Sequence, residues 1–112
     1  MIKNGIYSFI ATSRGAANGE IRGVLILNDG TLLGGDSYVY YTGSYECTGG
    51  RWQGKITSQE HTPSTRPMAD RVQNIGFIGS YNDDGAKVDA MALGGDHHST
   101  RYDATLRFLA AG

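Results

Sequence analysis

The sequence predicts an all-β domain: a small antiparallel up-and-down, lipocalin-like barrel of about eight strands. Three observations carry this. Short segments alternate apolar and polar residues with the period of a strand. Glycine, asparagine and aspartate clusters punctuate them at hairpin spacing. Finally, the 112 residues include 17 glycines against 2 prolines, with little helical periodicity anywhere. The length fits one domain over residues 1–112.

The first strand runs Ile6 to Thr12, with Tyr7, Phe9 and Ala11 on one face and Ile6, Ser8 and Ile10 on the other. After the small-residue loop Ser13 to Gly19, a second strand runs Glu20 to Leu27 into the turn Asn28-Asp29-Gly30. Asparagine, aspartate and glycine tolerate left-handed backbone angles, so this is a strong hairpin signal. The third strand, Thr31 to Leu33, is expected to stop at Gly34-Gly35, since paired glycines in a sheet mark a bend or bulge. The fourth runs Ser37 to Cys47, and Thr48-Gly49-Gly50 turns it into a fifth, where Trp52, Gly54, Ile56 and Ser58 alternate with polar neighbours. The segment His61 to Asp70 holds both prolines and reads as a longer connection with one helical turn. Pairing resumes with Ile75 to Tyr81, the turn Asn82 to Gly85, and Ala86 to Leu93. A polar loop, Gly94 to Ser99, leads to the last strand, Arg101 to Ala110.

Composition narrows the function classes. A formal net charge of −1 with scattered basic residues gives no footprint for nucleic acid or an anionic membrane. Cys47 is the single cysteine, so no intrachain disulfide can form, which fits a reducing compartment. Met1 to Gly5 lacks the apolar run of a signal peptide, and Val24 to Leu27 is too short to span a bilayer. The expectation is a cytoplasmic protein without membrane insertion.

Asn4-Gly5-Ile6-Tyr7-Ser8, and Gly34-Gly35-Asp36 followed seven residues on by Gly43, resemble the GrlR-like family. These are small bacterial proteins named for negative regulators of type III secretion gene expression. The Asn28-Asp29-Gly30 turn and Tyr41 also sit where that family has its turn and tyrosine, and the match is best over residues 4–45. The resemblance implies a dimeric lipocalin-like barrel that binds a transcriptional regulator and performs no catalysis. The named member carries an acidic run just after the position of Gly43. Here the corresponding stretch is Cys47-Thr48-Gly49-Gly50, with Glu46 beside it.

Strand parity sorts the candidate residues. With Leu25, Leu27, Val39, Tyr41 and Tyr45 inside, Ile6, Ile10, Val24, Ile26, Tyr38 and Tyr40 face outward as one apolar patch. Such a patch reads as a dimer or partner interface. Tyr41, Tyr45, Trp52, Phe77 and Tyr81 face the interior. They could meet a small apolar ligand if Gly43, Gly54 and Gly79 leave room, so a lipocalin-like carrier or sensor is the alternative function. A barrel this narrow is expected instead to be filled, with those glycines permitting tight coiling. Gly34, Gly35, Asp36 and Gly43 read as structural, Asp36 accepting amide hydrogen bonds at the bend. Asp96-His97-His98, even with His61, lacks metal-ligand spacing, and no cofactor is expected. Nothing in the sequence places His61 with Asp36 and Ser37, and no nucleophile elbow is present, so no enzyme is expected.

Overall fold

A computed structural model describes residues 1–13, 20–62, 72–93 and 99–112. Eight strands follow one another in chain order: β1 (Gly5–Ser13), β2 (Glu20–Asn28), β3 (Thr31–Gly35), β4 (Val39–Thr48), β5 (Arg51–Glu60), β6 (Val72–Tyr81), β7 (Gly85–Leu93) and β8 (Ser99–Ala111). Each pairs antiparallel with its sequence neighbours, and β8 returns to β1 to close the barrel. The predicted all-β up-and-down barrel is the observed fold.

Turn chemistry sets the registers. Asp29 and Gly30 both take positive φ, 47° and 90°, which gives a two-residue hairpin loop the twist its strands require. Gly49 and Gly50 do the same between β4 and β5, with φ of 58° and 81°. Between β6 and β7, Asn82 Oδ1 accepts the Asp84 and Gly85 amides at 2.8 and 3.1 Å. One expectation fails here: β3 does not stop at Leu33. It continues through both glycines, which pair with Tyr41 and Tyr40, and the bend follows at Asp36 to Tyr38. A side chain at Gly34 would overlap the Val24 carbonyl oxygen, so the glycine serves close strand approach rather than termination. The fourth strand accordingly begins at Val39 rather than Ser37.

The interior is packed with rings and aliphatic side chains. Tyr7 and Leu32 are fully buried, and Phe9, Leu25, Leu27, Tyr41, Tyr45, Trp52, Phe77 and Leu106 join them. Four edge-to-face ring pairs fill the lumen: Tyr7–Phe108, Phe9–Tyr41, Tyr45–Trp52 and Trp52–Phe77, with centroids 4.7 to 5.6 Å apart. A Cβ at Gly43, Gly54 or Gly79 would overlap the carbonyl oxygen of Lys55, Ser44 or Lys87 respectively. These glycines bring strands together and leave no space between them.

The N-terminal residues close one end, which the strand pattern did not foretell. Ile2 is buried beneath the turns. Lys3 holds it there, its carbonyl accepting the Tyr7 hydroxyl at 2.7 Å and its ammonium lying 4.1 Å from the Phe108 ring centre. Asn4 and Asp29 exchange two hydrogen bonds of 2.9 Å.

Candidate functional site

The outward faces of β1, β2 and β3 form a connected apolar surface. Ile6 lies directly opposite Ile26, and Ile26 opposite Leu33, so three branched side chains stand side by side across three strands. Val24 follows Ile26 on the same face, and Ile10 lies farther along β1. Beyond Val24 comes Gly35, then Tyr40. The glycine has no side chain, so no group stands between Val24 and Tyr40 in this row, and the Tyr40 hydroxyl reaches across to Gln59 Oε1 at 2.7 Å. These residues are 38 to 54% exposed, with Tyr38 at 51% just outside β4. All six residues expected to face outward do so.

Leu33 belongs to the same surface and sequence reasoning did not assign it, although its alternation with buried Leu32 was signal enough. Leu109 is exposed for a different reason. The β1–β8 register shifts between Ile6 and Tyr7, pairing Ile6 with Ala110 but Tyr7 with Phe108. The extra residue, Leu109, turns outward in a bulge beside Ile6. Ile78 and Val72 on β6 are also exposed, on the far side of the barrel.

At the opposite end from Ile2, the strand ends at Gly35, Val39 and Glu60 gather around Asp36. Its Oδ1 accepts the main-chain amides of Tyr38 and Val39 at 2.8 and 2.9 Å, the role read for it from the sequence. Its Oδ2 accepts the Tyr41 hydroxyl at 2.8 Å. Burial, then the hydrogen bond to the Asp36 carboxylate and its charge, push the Tyr41 phenol well above its ordinary range. The structure also brings His61 to this bend, contrary to expectation: Nε2 lies 3.0 Å from the Asp36 carbonyl oxygen and Nδ1 2.7 Å from Thr62 Oγ1. The His61 and Thr62 amides both donate to the Tyr38 carbonyl, tying the end of β5 to this loop. Because the imidazole meets the main-chain oxygen of Asp36 and not its carboxylate, this is a structural clasp rather than a proton relay.

Of the interior candidates, Tyr41, Tyr45, Trp52 and Phe77 are buried, and Tyr81 is half-buried against the same core. Tyr45 is unusual. Its hydroxyl is buried with no hydrogen-bond partner among the described residues. Burial raises its pKa, the Gly30 main chain acts against the rise, and Cys47 and Asp29 add to it in smaller measure. Burial likewise raises Tyr7 and Tyr102. Cys47 is a half-buried free thiol. Among the described residues no cluster of His, Cys, Asp or Glu could hold a metal ion. Asp96-His97-His98 lies outside the described residues, as does all but His61 and Thr62 of the segment His61 to Asp70 expected to hold one helical turn.

No protein-family model and no curated protein matches this chain. The structure itself shows an eight-stranded closed antiparallel barrel, the coarse feature of the resemblance read from Asn4 to Ser8 and Gly34 to Asp36.

Proposed function

We propose that this chain is a non-enzymatic regulatory or adaptor protein of the GrlR-like type, acting in the cytoplasm as a homodimer that binds a protein partner. The observation that carries the reading is the apolar outer face of β1–β3. With roughly 200 Å² for each large side chain, seven side chains at about 45% exposure present on the order of 600 Å² of surface. That is the upper end of what monomers leave to water, and it approaches the ~800 Å² that each partner contributes to a standard interface. Exposed β-branched and aromatic side chains match the composition of an interface core. The charged outer residues of β5–β8 are the reverse of a lipid-facing band, which favours protein over lipid as the cover for this face. Ring pairs filling the lumen weigh against the carrier reading.

Ile26 stands at the centre of the face, between Ile6 and Leu33, and is 44% exposed, so a charge there leaves the interior intact. The wild type should run as a dimer in size-exclusion chromatography with light scattering, and Ile26→Glu as a folded monomer by circular dichroism. A monomeric wild type, or a dimeric Ile26→Glu variant, refutes the assignment.

A further inference from the structure

The side of the barrel away from the apolar face is built differently. In a closed ring of eight strands, β6 stands half a turn from β2. Its outer surface is hollowed at Gly76, where a Cβ would meet nothing within 4 Å. Gly76 lines an open hollow of about 810 Å³, and a second of about 640 Å³ adjoins it past Ile78.

Strand registers arrange the charges here in three parallel rows running across the strands. In the first row Lys55 pairs with Gly76, Gly76 with Met91, and Met91 with Arg101. Two residues along, Glu46, Gln53, Ile78, Asp89 and Asp103 form the second row. Two residues farther, Arg51, Ser80 and Lys87 form the third. The face is therefore basic, then acidic around an apolar centre, then basic again. Ile78, in the middle, is 61% exposed. The Arg22–Glu20 ion pair on β2 involves none of the four cations of this face, and Asp89 and Asp103 are engaged in contacts of their own.

We propose that this face docks an extended segment of a partner protein that carries two carboxylates with an apolar residue between them. The spacing selects the form of the ligand. Residues two apart on a strand are about 6.7 Å apart, so alternate side chains of an extended segment laid along β6 meet successive rows. Carboxylates then face Lys55 with Arg101 and Arg51 with Lys87, while the apolar residue sits over Ile78 and the Gly76 hollow. A uniformly basic segment is disfavoured by the outer rows, and the exposed Ile78 at the centre disfavours a charge in the middle. A second copy of this chain fits less well. Self-association on both β2 and β6 faces, half a turn apart, would produce an open filament instead of a closed assembly.

The test uses the whole chain and two synthetic labelled peptides held extended by β-branched spacers. One has glutamates four residues apart with leucine midway; in the other, lysines replace the glutamates. Fluorescence anisotropy should show the glutamate peptide binding at least about tenfold more tightly, the scale of close charge pairing. Amide chemical-shift changes should centre on Gly76, Ile78 and Met91. Gly76→Trp, whose Cβ meets nothing within 4 Å, places a ring over the hollow and should abolish binding while the protein melts as before. Lys55→Glu combined with Lys87→Glu should invert the peptide preference. Failure of the glutamate peptide to saturate, equal binding of both peptides, or shift changes centred on β1–β3 overturns the proposal. So does growth of the protein into filaments that Gly76→Trp prevents, since the occupant is then a second copy.

Discussion

Alkali should unfold this barrel steeply, because the interior holds phenols that resist ionisation. Tyr7, Tyr41, Tyr45 and Tyr102 all have pKa values raised in the folded state, by burial first and for Tyr41 also by the Asp36 carboxylate. An unfolded tyrosine ionises near pH 10. Above that pH the unfolded chain loses protons that the native chain retains, so their contribution is fully present below pH 10 and is lost as pH rises. Each retained proton costs about 1.4 kcal/mol of stability per pH unit. Tyr41 alone therefore removes about 2 kcal/mol between pH 10 and pH 12, a large fraction of a typical domain's 5–15 kcal/mol; Tyr7, Tyr45 and Tyr102 act in the same direction. Urea titrations followed by Trp52 fluorescence at stepped pH give the slope, and Tyr41→Phe should flatten it by about 1.4 kcal/mol per unit. Stability that stays level from pH 10 to 12, or an unchanged slope in Tyr41→Phe, refutes the account of the interior.

Other perturbations separate glycines that look alike in the sequence. Gly79→Ala, whose Cβ would overlap the Lys87 carbonyl, should cost about 1–3 kcal/mol in urea denaturation. Gly76→Ala, with open space around it, should leave stability within about 1 kcal/mol of wild type or raise it. Asp36→Ala removes the acceptor for two amides and strands the Tyr41 hydroxyl, and should cost about 2–4 kcal/mol. Asp36→Asn retains an acceptor for the amides and should recover part of that loss, measured in the same way.

Strand order and side-chain facing were legible because the period of two is strict and one face of each strand is apolar. Tyr7 and Phe9 against Ile6 and Ile10, or Leu25 and Leu27 against Val24 and Ile26, admit one assignment once the hairpin at Asp29-Gly30 fixes the register. Gly34-Gly35 misled because glycine in a strand has two uses, bending the chain and admitting a neighbour. The distinction depends on what stands across the sheet, here the Val24 carbonyl, which local sequence does not reveal. The Leu109 bulge, the Ile2 plug and the approach of His61 to Asp36 were illegible for the same reason. Each depends on a contact between residues distant in the chain and on no local pattern. The outer charge rows were hidden more simply: Lys55, Met91 and Arg101 are scattered in sequence, and only the registers of β5 to β8 align them.

Closure of the barrel constrains how it can recognise anything. With β8 paired to β1, every described strand has a neighbour on both sides, so recognition falls chiefly to outward side chains or the ends. In the proposed reading the β2 and β6 faces divide that task by chemistry, one apolar with the Glu20–Arg22 pair at its margin and one striped with charge. A two-fold dimer on β2 leaves two β6 faces directed away from the dimer axis, and a partner bearing two docking segments gains avidity without any new contact. Dimer-breaking and docking variants should then behave differently. Ile26→Glu should leave the affinity for a single docking peptide unchanged and weaken only a tandem peptide, whereas Gly76→Trp should weaken both. If Ile26→Glu lowers single-peptide affinity as well, the two faces are coupled through the wall and do not act as independent surfaces.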